Sequence, residues 1–269
     1  MARKMKRTVV SAMTIAGSDS GGGAGIQADL KTFAAYEVYG TSVVTAITAQ
    51  NTVGVTGIHE IPSDLIGEQI RCVLDDIGAD AIKTGMLSTS SIVQTVSREL
   101  DKYNVQNLVV DPVMVAKSGD SLLQEEAVEA VRNLMIPLAA VVTPNIPEAE
   151  VLTGMTITSE QDMKTAASML VQMGAKSAVV KGGHLEGPAS DLFYDGSIYE
   201  VFTVERIDTV NTHGTGCTFA SAVAAGLAKG YGMRDSVAEA KLYITESIRK
   251  SFAVGSGHGP LNHFHKFWR

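Results

Sequence analysis

The chain has 269 residues, of which 45% are hydrophobic and 19% charged, and this ordinary globular composition argues against disorder. The formal net charge of −7 argues against a protein that coats nucleic acid, so an anionic ligand must be held by a local device. No apolar run approaches the roughly 18 residues of a membrane-spanning helix. Two cysteines in so long a chain favour a reducing compartment, and we expect a cytoplasmic protein.

Four of the first eight residues are basic, and they precede the apolar run 9–16. A weak signal peptide has the same pattern. Ser11 and Thr14 interrupt that run, and cleavage after it would fall inside a loop that looks functional. We therefore interpret residues 1–8 as a basic tail that leads into a first strand.

Short runs rich in Val and Ile predict strands, and most lack the alternation of a strand with one solvated face. Such runs are typical of strands buried on both faces. An antiparallel hairpin is predicted late in the sheet, where Asp195-Gly196 separates residues 191–194 from 198–204. The other predicted strands are residues 9–15, 43–49, 81–84, 108–110, 140–143 and 178–181.

Apolar residues at helical spacing lie between these strands. Ser63 is a candidate N-cap of the first long helix, and Ser159 followed by Asp162 resembles a capping signal. The alternation predicts a single α/β domain over residues 1–269, with a mainly parallel sheet and helices on both faces. The predicted long helices are 66–77, 92–103, 124–135, 159–173, 214–228 and 234–252.

Polar and glycine residues follow each predicted strand. Because the carboxyl ends of parallel strands meet at one edge of the sheet, these residues are expected to line a single cleft. Structural turns alone would supply Gly and Pro, but less readily Gln, Asn, Asp, Glu and His. The segments concerned are residues 17–23, 50–51, 85–86, 111–114, 144–148 and 182–184.

Residues 211–218, Asn-Thr-His-Gly-Thr-Gly-Cys-Thr, lead into the predicted helix 214–228. The glycines allow a tight turn, and the free amides at the helix start then form an anion hole. Cys217 lies in the first turn, where thiol pKa values fall. Close packing of the helix on the sheet would explain the glycines alone. It does not explain His213 and Cys217 at the same helix entrance, so we favour a functional interpretation.

The glycine-rich loop 17–25 fits neither G-x-G-x-x-G nor a P-loop, because the chain contains no Gly-Lys dipeptide. A nicotinamide dehydrogenase and a P-loop NTPase are therefore disfavoured. Asp29 is predicted in the first turn of the helix that follows, where its carboxylate would cap the helix or bind a ligand. From its position alone, the cap is favoured.

Asn145 and Glu148 are spaced so that an amide and a carboxylate lie on one side of a short helix. A carboxylate near phosphates usually holds Mg²⁺, partly through water. An N-cap Asn with a capping-box Glu explains the same spacing. The residues alone leave both interpretations open.

These segments together resemble the hydroxymethylpyrimidine/phosphomethylpyrimidine kinases of thiamine biosynthesis, from about Thr14 to the C-terminus. The longest matching segment is T-I-A-G-S-D-S-G-G-G-A-G-I-Q-A-D at residues 14–29. The order of the motifs makes the resemblance highly specific. The other matching segments are 30–33, 49–52, 83–87, 111–114, 116–119, 143–145 with Glu148, 181–184, 211–218, 259–260 and 263–265.

The resemblance implies a ribokinase-like three-layer fold and a kinase that uses ATP with Mg²⁺. Its small-molecule substrates would be 4-amino-5-hydroxymethyl-2-methylpyrimidine and then the monophosphate of that alcohol. It also implies a homodimer, with no nucleic acid or membrane partner.

The resemblance also implies a role for each motif residue. Cys217 would be the base, beside an anion hole of Gly214, Thr215 and Gly216, and the helix start with His213 would lower its pKa. Other residues would bind the ligands. Asp29, Gln50, Met86 and Val113 would hold the pyrimidine, Asn145, Lys181 and His213 the nucleotide, and Glu148 and Asp111 the Mg²⁺.

Three other functions remain to be weighed. A pyridoxal kinase shares the fold and chemistry, but we expect another residue in place of Gln50 in such an enzyme. A sugar kinase is disfavoured because Cys217 stands where an Asp is expected. A non-catalytic binding module is disfavoured because Cys217, Asn145 and Glu148 are all present.

Residues 117–120 are polar and turn-prone, and they predict a flap over the ligand.

Overall fold

A computed structural model describes residues 9–114, 125–183, 185 and 187–268. The flap predicted at residues 117–120 and His184 lie outside this range. Within it, the sheet has nine strands in the order β3-β2-β1-β4-β5-β6-β7-β8-β9. The strands are β1 Ser11–Asp19, β2 Tyr39–Gln50, β3 Val55–Glu60, β4 Ala81–Thr84, β5 Leu108–Val110, β6 Val141–Val142, β7 Ala178–Lys181, β8 Ala189–Tyr194 and β9 Tyr199–Val204.

The six neighbouring strands from β2 to β7 are parallel. At one edge β3 pairs antiparallel with β2, and at the other edge β8 and β9 form the predicted hairpin. The mainly parallel α/β sheet with a late antiparallel hairpin is therefore confirmed. Long crossovers are required between parallel neighbours, and helices supply them.

Eight α-helices accompany the sheet in the described ranges. They are α1 Gly25–Ala35, α2 Ser63–Asp76, α3 Ser90–Lys102, α4 Glu125–Ala130, α5 Ile146–Thr153, α6 Glu160–Gln172, α7 Thr215–Ala228 and α8 Met233–Arg249. None of these helices is both long and apolar enough to cross a membrane.

Both faces of the sheet are buried, as the strand composition predicts. Met13 and Ile15 of β1 belong to a core that includes residues of α2, α3 and α6, whereas Ala12 belongs to a second core with α1, α7 and α8. The same alternation recurs in β5, where Val110 joins the first core and Val109 the second. The helices thus form layers on either side of the sheet.

Several predicted boundaries hold and others do not. Strands 81–84, 108–110 and 178–181 are predicted to the residue, and Ser159 caps α6 by accepting from the Asp162 amide. Sequence patterns do not predict β3, an edge strand that is mostly exposed and has no apolar period. Ser63 is the first helical residue of α2 and not its N-cap, which is Pro62. The predicted helix 124–135 changes after α4 to a π-helical turn at Val131–Met135.

Candidate active site

A cavity of about 690 Å³ opens at the carboxyl ends of the parallel strands, where the sequence predicts a cleft. The parallel register brings loops from distant parts of the chain to this edge. With the exception of Asp29, every residue proposed for the site lines the cavity. These residues are Gln50, Met86, Asp111, Val113, Asn145, Glu148, Lys181, His213, Gly214, Thr215, Gly216 and Cys217.

Asp19, the last residue of β1, organises the glycine-rich loop. Its Oδ1 accepts from the amide of Gly21 at 2.8 Å, and its Oδ2 accepts from the amides of Gly23 and Ala24 at 3.0 and 2.8 Å. Burial raises the pKa of the Asp19 carboxyl, but hydrogen bonds from His213 and these amides outweigh burial and lower it. Sequence reasoning did not assign a role to Asp19. Its signal is an Asp between a strand and a run of glycines, where such side chains bond the following backbone.

Helix α7 begins against the glycine-rich loop. Its N-cap is Gly214, with a left-handed φ of 82°, and a Cβ at this position would overlap the carbonyl oxygen of Gly23. Only glycine fits there. The Thr215 amide donates to the Thr212 carbonyl at 3.3 Å, so it is partly engaged. The amides of Gly216 and Cys217 follow in the first turn, where a helix favours an anion.

The expectation of an acidic Cys217 thiol is wrong for this structure. Burial raises the pKa of the Cys217 thiol to about 11, and the carboxylates of Asp29 and Asp111 act in the same direction. The Lys83 ammonium and a hydrogen bond from the Gly25 amide lower the pKa, but they do not offset burial. The sequence placed the thiol at a helix start and did not reveal how deeply the sheet and loops enclose it.

Asp29 lies beneath the cavity floor and does not line it. Its carboxylate accepts from Thr14 Oγ1 at 2.6 Å, from Ser221 Oγ at 2.6 Å and from Lys83 Nζ at 3.0 Å, and both charged side chains are fully buried. The favoured capping interpretation is wrong, because α1 starts at Gly25 and Asp29 lies in its second turn. The Asp29–Lys83 ion pair joins α1 to β4, and Lys83 itself lines the cavity.

Asn145 and Glu148 form the capping box of α5. The Asn145 side chain accepts from the Glu148 amide at 2.9 Å, and Glu148 Oε2 accepts from the Asn145 amide at 2.8 Å. Burial raises the pKa of Glu148 to about 7, with Lys181 acting against the rise and Asp111 adding to it. The capping interpretation is confirmed. It does not exclude the metal interpretation, because the same side chains line the cavity.

Asp111 and Lys181 form a second charged pair at the cavity wall, with Lys181 Nζ 3.1 Å from Asp111 Oδ1. Burial lowers the pKa of Lys181, but the carboxylates of Asp111 and Glu148 raise it more, which keeps the ammonium charged. Asp111 Oδ2 is buried and has no hydrogen-bond partner in the structure. A buried carboxylate oxygen without a donor suits a cation.

The two carboxylates fit Mg²⁺ that is shared with phosphates. Mg²⁺ is commonly held by one or two carboxylates together with substrate phosphates and water. Across the described ranges, no group of three His, Cys, Asp or Glu side chains is arranged to hold a metal ion without help.

Gln50, Met86 and Val113 line the part of the cavity formed at the carboxyl ends of β2, β4 and β5. Gln50 Oε1 accepts from Thr48 Oγ1 at 3.0 Å, which directs the side-chain amide of the last residue of β2. The terminal methyl of Met86 lies so close to Gly17 that a Cβ on Gly17 would contact it. This part of the cavity offers apolar surface with one amide, which suits an aminopyrimidine ring.

Besides Asp19, sequence reasoning assigned no role to five charged residues that line the cavity, namely Lys83, Asp191, Glu205, Arg206 and Lys241. Lys241 of α8 is paired with Asp191 of β8 at 2.8 Å, and Asp191 Oδ1 accepts from the Gly182 amide at 3.1 Å. Arg206 donates to the carbonyls of Gly183, Leu185 and Gly187, which fixes that loop at the cavity mouth. These contacts join residues far apart in the chain, and no local pattern marks them.

Comparison with known proteins gives a consistent result. The family model for phosphomethylpyrimidine kinase matches residues 19–262. A hydroxymethylpyrimidine/phosphomethylpyrimidine kinase of Bacillus subtilis is 48% identical over 96% of this chain and 96% of its own length. A thiamine biosynthesis bifunctional protein, ThiED, of Geobacter sulfurreducens is 50% identical over 94% of this chain, which spans 52% of that protein.

The fold also matches solved structures. The ADP complex of a Bacillus subtilis pyridoxal kinase superposes with a TM-score of 0.90 at 42% identity, covering 96% of this chain and 99% of that one. The predicted ribokinase-like architecture is confirmed by this likeness.

Proposed function

Because this chain belongs to the phosphomethylpyrimidine kinase family, we propose that it uses ATP to phosphorylate 4-amino-5-hydroxymethyl-2-methylpyrimidine and then its monophosphate, in thiamine biosynthesis. The observation that carries the proposal is the arrangement of one cavity. An apolar end with the Gln50 amide, a helix start beside the Cys217 thiol, and the Asp111–Lys181–Glu148 cluster all line it. We interpret these three features as an acceptor site, an anion hole and a phosphate site, respectively.

The acceptor end positions the alcohol. We assign Gln50 to the amino edge of the pyrimidine, with Met86 and Val113 against the ring. Asp29 supports this end from below, through its ion pair with Lys83, and does not contact the ring. Positioning of this kind accounts for much of the rate of a transfer between two bound substrates.

Cys217 is the proposed acceptor of the hydroxyl proton in the first phosphorylation. The alcohol oxygen attacks the γ-phosphorus in line, its proton passes to the thiolate form of Cys217, and the bond from the γ-phosphorus to the bridging oxygen breaks to release ADP. Lys83 and the Gly25 amide both stabilise the thiolate that this role requires. Because burial raises the thiol pKa to about 11, only a small share of the thiol is ionised near neutral pH.

The donor end would hold the nucleotide phosphates. Lys181 supplies a positive charge to this part of the cavity, and the amides of Gly216 and Cys217 supply dipoles that favour an anion. Asn145 and His213 line the same cavity. Mg²⁺ held by Asp111, Glu148 and the phosphates would neutralise the charge that develops on the transferred group.

The second phosphorylation differs chemically from the first. A phosphate monoester has a second pKa near about 6, so its oxygen is already ionised at neutral pH. The second step therefore needs no proton acceptor. We expect Cys217 to serve the first step and the anion hole to serve both.

A pyridoxal kinase is the second candidate function. The observation in its favour is the close structural likeness to the pyridoxal kinase of Bacillus subtilis. Gln50 favours the pyrimidine over the vitamin B6 alcohols, because its amide pairs with an aminopyrimidine edge.

Mass spectrometry of the products tests these two functions. The protein would be incubated with MgATP and each alcohol separately. A monophosphate and then a diphosphate from the pyrimidine support the proposal. A pyridoxal phosphate with the pyrimidine unchanged supports the second candidate, and no product from either alcohol argues against both.

A homodimer in the cytoplasm is also proposed, on the family resemblance and on the sparse cysteines. Light scattering coupled to size exclusion measures the mass directly. A particle of 28.4 kDa would refute the dimer.

A further inference from the structure

We propose that Asp19 and His213 form a positioning pair that fixes the first turn of α7, with Cys217, against the glycine-rich loop during the first phosphorylation. The resemblance of the sequence motifs implies no such positioning role for Asp19 or for His213. The inference rests on the proposed function, because Cys217 is the proton acceptor there.

The pair joins the two glycine-rich segments of the site. His213 Nε2 lies 2.8 Å from Asp19 Oδ2, and both side chains are almost fully buried, with 10% and 3% of their surface exposed. Asp19 ends β1, whereas His213 precedes α7, 194 residues further along the chain. A buried charge-assisted bond between distant segments fixes their relative position.

Each partner is itself held from several sides. Three loop amides donate to the Asp19 carboxylate, and the Gln27 side chain accepts from the Asp19 amide at 2.9 Å. The His213 amide donates to the Gly259 carbonyl at 3.1 Å. The His213 ring packs on Gly23, where any Cβ would overlap it.

The Asp19–His213 pair affects the position of the Cys217 thiol. The loop that Asp19 organises abuts the start of α7, because a Cβ on Gly214, the N-cap of α7, would overlap the Gly23 carbonyl oxygen. Gly25 has a left-handed φ of 55°, and a Cβ there would overlap the Gly17 carbonyl, so the loop admits one backbone path. Cys217 lies in the first turn of α7, and the position of that turn depends on its contacts with the loop. The Asp19–His213 contact therefore fixes the position of the first turn of α7, and with it Cys217, relative to the loop.

The experiment separates positioning from general stability. His213→Ala removes the donor, and His213→Gln keeps an N–H donor near the position of Nε2. The rates of both phosphorylation steps are measured for each variant, together with the melting temperature. Asp195→Asn is the matched control, because Asp195 also gathers two loop amides, those of Ser197 and Ile198, in the β8–β9 turn and outside the cavity lining.

We expect His213→Ala to lower kcat of the first step by about 10- to 100-fold, the usual effect of misplacing reacting groups by about 1 Å. The second step, which needs no proton acceptor, falls by less, and His213→Gln restores part of the first step. An equal loss in both steps, or two rates within about twofold of the parent, overturns the proposal. If the unmodified chain phosphorylates neither substrate, the proposed function fails instead, independently of any variant.

Discussion

Glu148→Gln is expected to make the protein more stable at pH 8 while impairing catalysis. Burial raises the pKa of Glu148 from 4.5 to about 7, so the folded state prefers the neutral carboxyl. The stability that this preference contributes is complete below pH 4.5, and it is lost as the pH rises through about 7. Gln mimics the neutral acid at every pH. It also keeps the capping box, because Gln is accepted at the same helix position.

The size of the effect follows from the difference between the two pKa values. At about 1.36 kcal/mol per pKa unit, that difference corresponds to about 3 kcal/mol at pH 8. Below pH 4.5 the gain from Glu148→Gln should be near zero. Urea unfolding of both proteins, at pH 4.5 and at pH 8, measures the two free energies.

Glu160→Gln is the control for this experiment. Glu160 also lies in the first turn of a helix, but it is exposed and pairs with Lys164 at the surface, so its replacement should change stability by less than about 1 kcal/mol. A Glu148→Gln protein that is no more stable than the parent at pH 8 would refute the reasoning. An equal gain at both pH values would also refute it, because the gain would then not come from ionisation.

Three further predictions concern the acceptor side. Cys217→Ala should slow the first phosphorylation by at least about 100-fold and the second by much less, which product mass spectrometry resolves; equal losses would contradict the assignment of the base. Lys83→Met should cost about 3–5 kcal/mol of unfolding free energy because it leaves the Asp29 carboxylate buried without its cation, and a loss below about 1 kcal/mol in urea would contradict this. Gln50→Leu should raise KM for the pyrimidine by about tenfold with KM for ATP unchanged, and steady-state kinetics that show an unaltered pyrimidine KM would remove Gln50 from the site.

The parts of the fold that sequence predicts well are short, largely buried runs between helical patterns. Residues 81–84 and 178–181 each begin with apolar residues and are buried almost throughout, and their strands are correct to the residue. Strand β3 has no such signal, because an exposed edge strand lacks a buried face. The capping box at Asn145 and Glu148 is local and was therefore visible as one of two alternatives.

The parts of the site that sequence does not predict depend on long-range contacts. The partner of Asp29 is Lys83, 54 residues away, and nothing near Asp29 in the chain indicates a buried ammonium. The pKa of Cys217 likewise depends on how tightly the surrounding elements enclose it, whereas the local pattern indicates only that Cys217 lies at a helix start. The residues that the motif resemblance assigns to the site line the cavity with the exception of Asp29, and the resemblance did not distinguish Asp29 from a lining residue such as Gln50.

The contacts of Asp29 and Asp19 with residues late in the chain have a consequence for its biosynthesis. Asp29 bonds Ser221, which is made 192 residues later, and Asp19 bonds His213 across a similar interval. Synthesis proceeds from the N-terminus, at about 5–20 residues per second, so the ribosome has completed four fifths of the chain before either partner exists. Nascent chains released before residue 213 lack both contacts, and chains released between residues 213 and 221 lack only the contact of Asp29 with Ser221. The first and last parts of the chain must therefore both be present before these two carboxylates are fully paired.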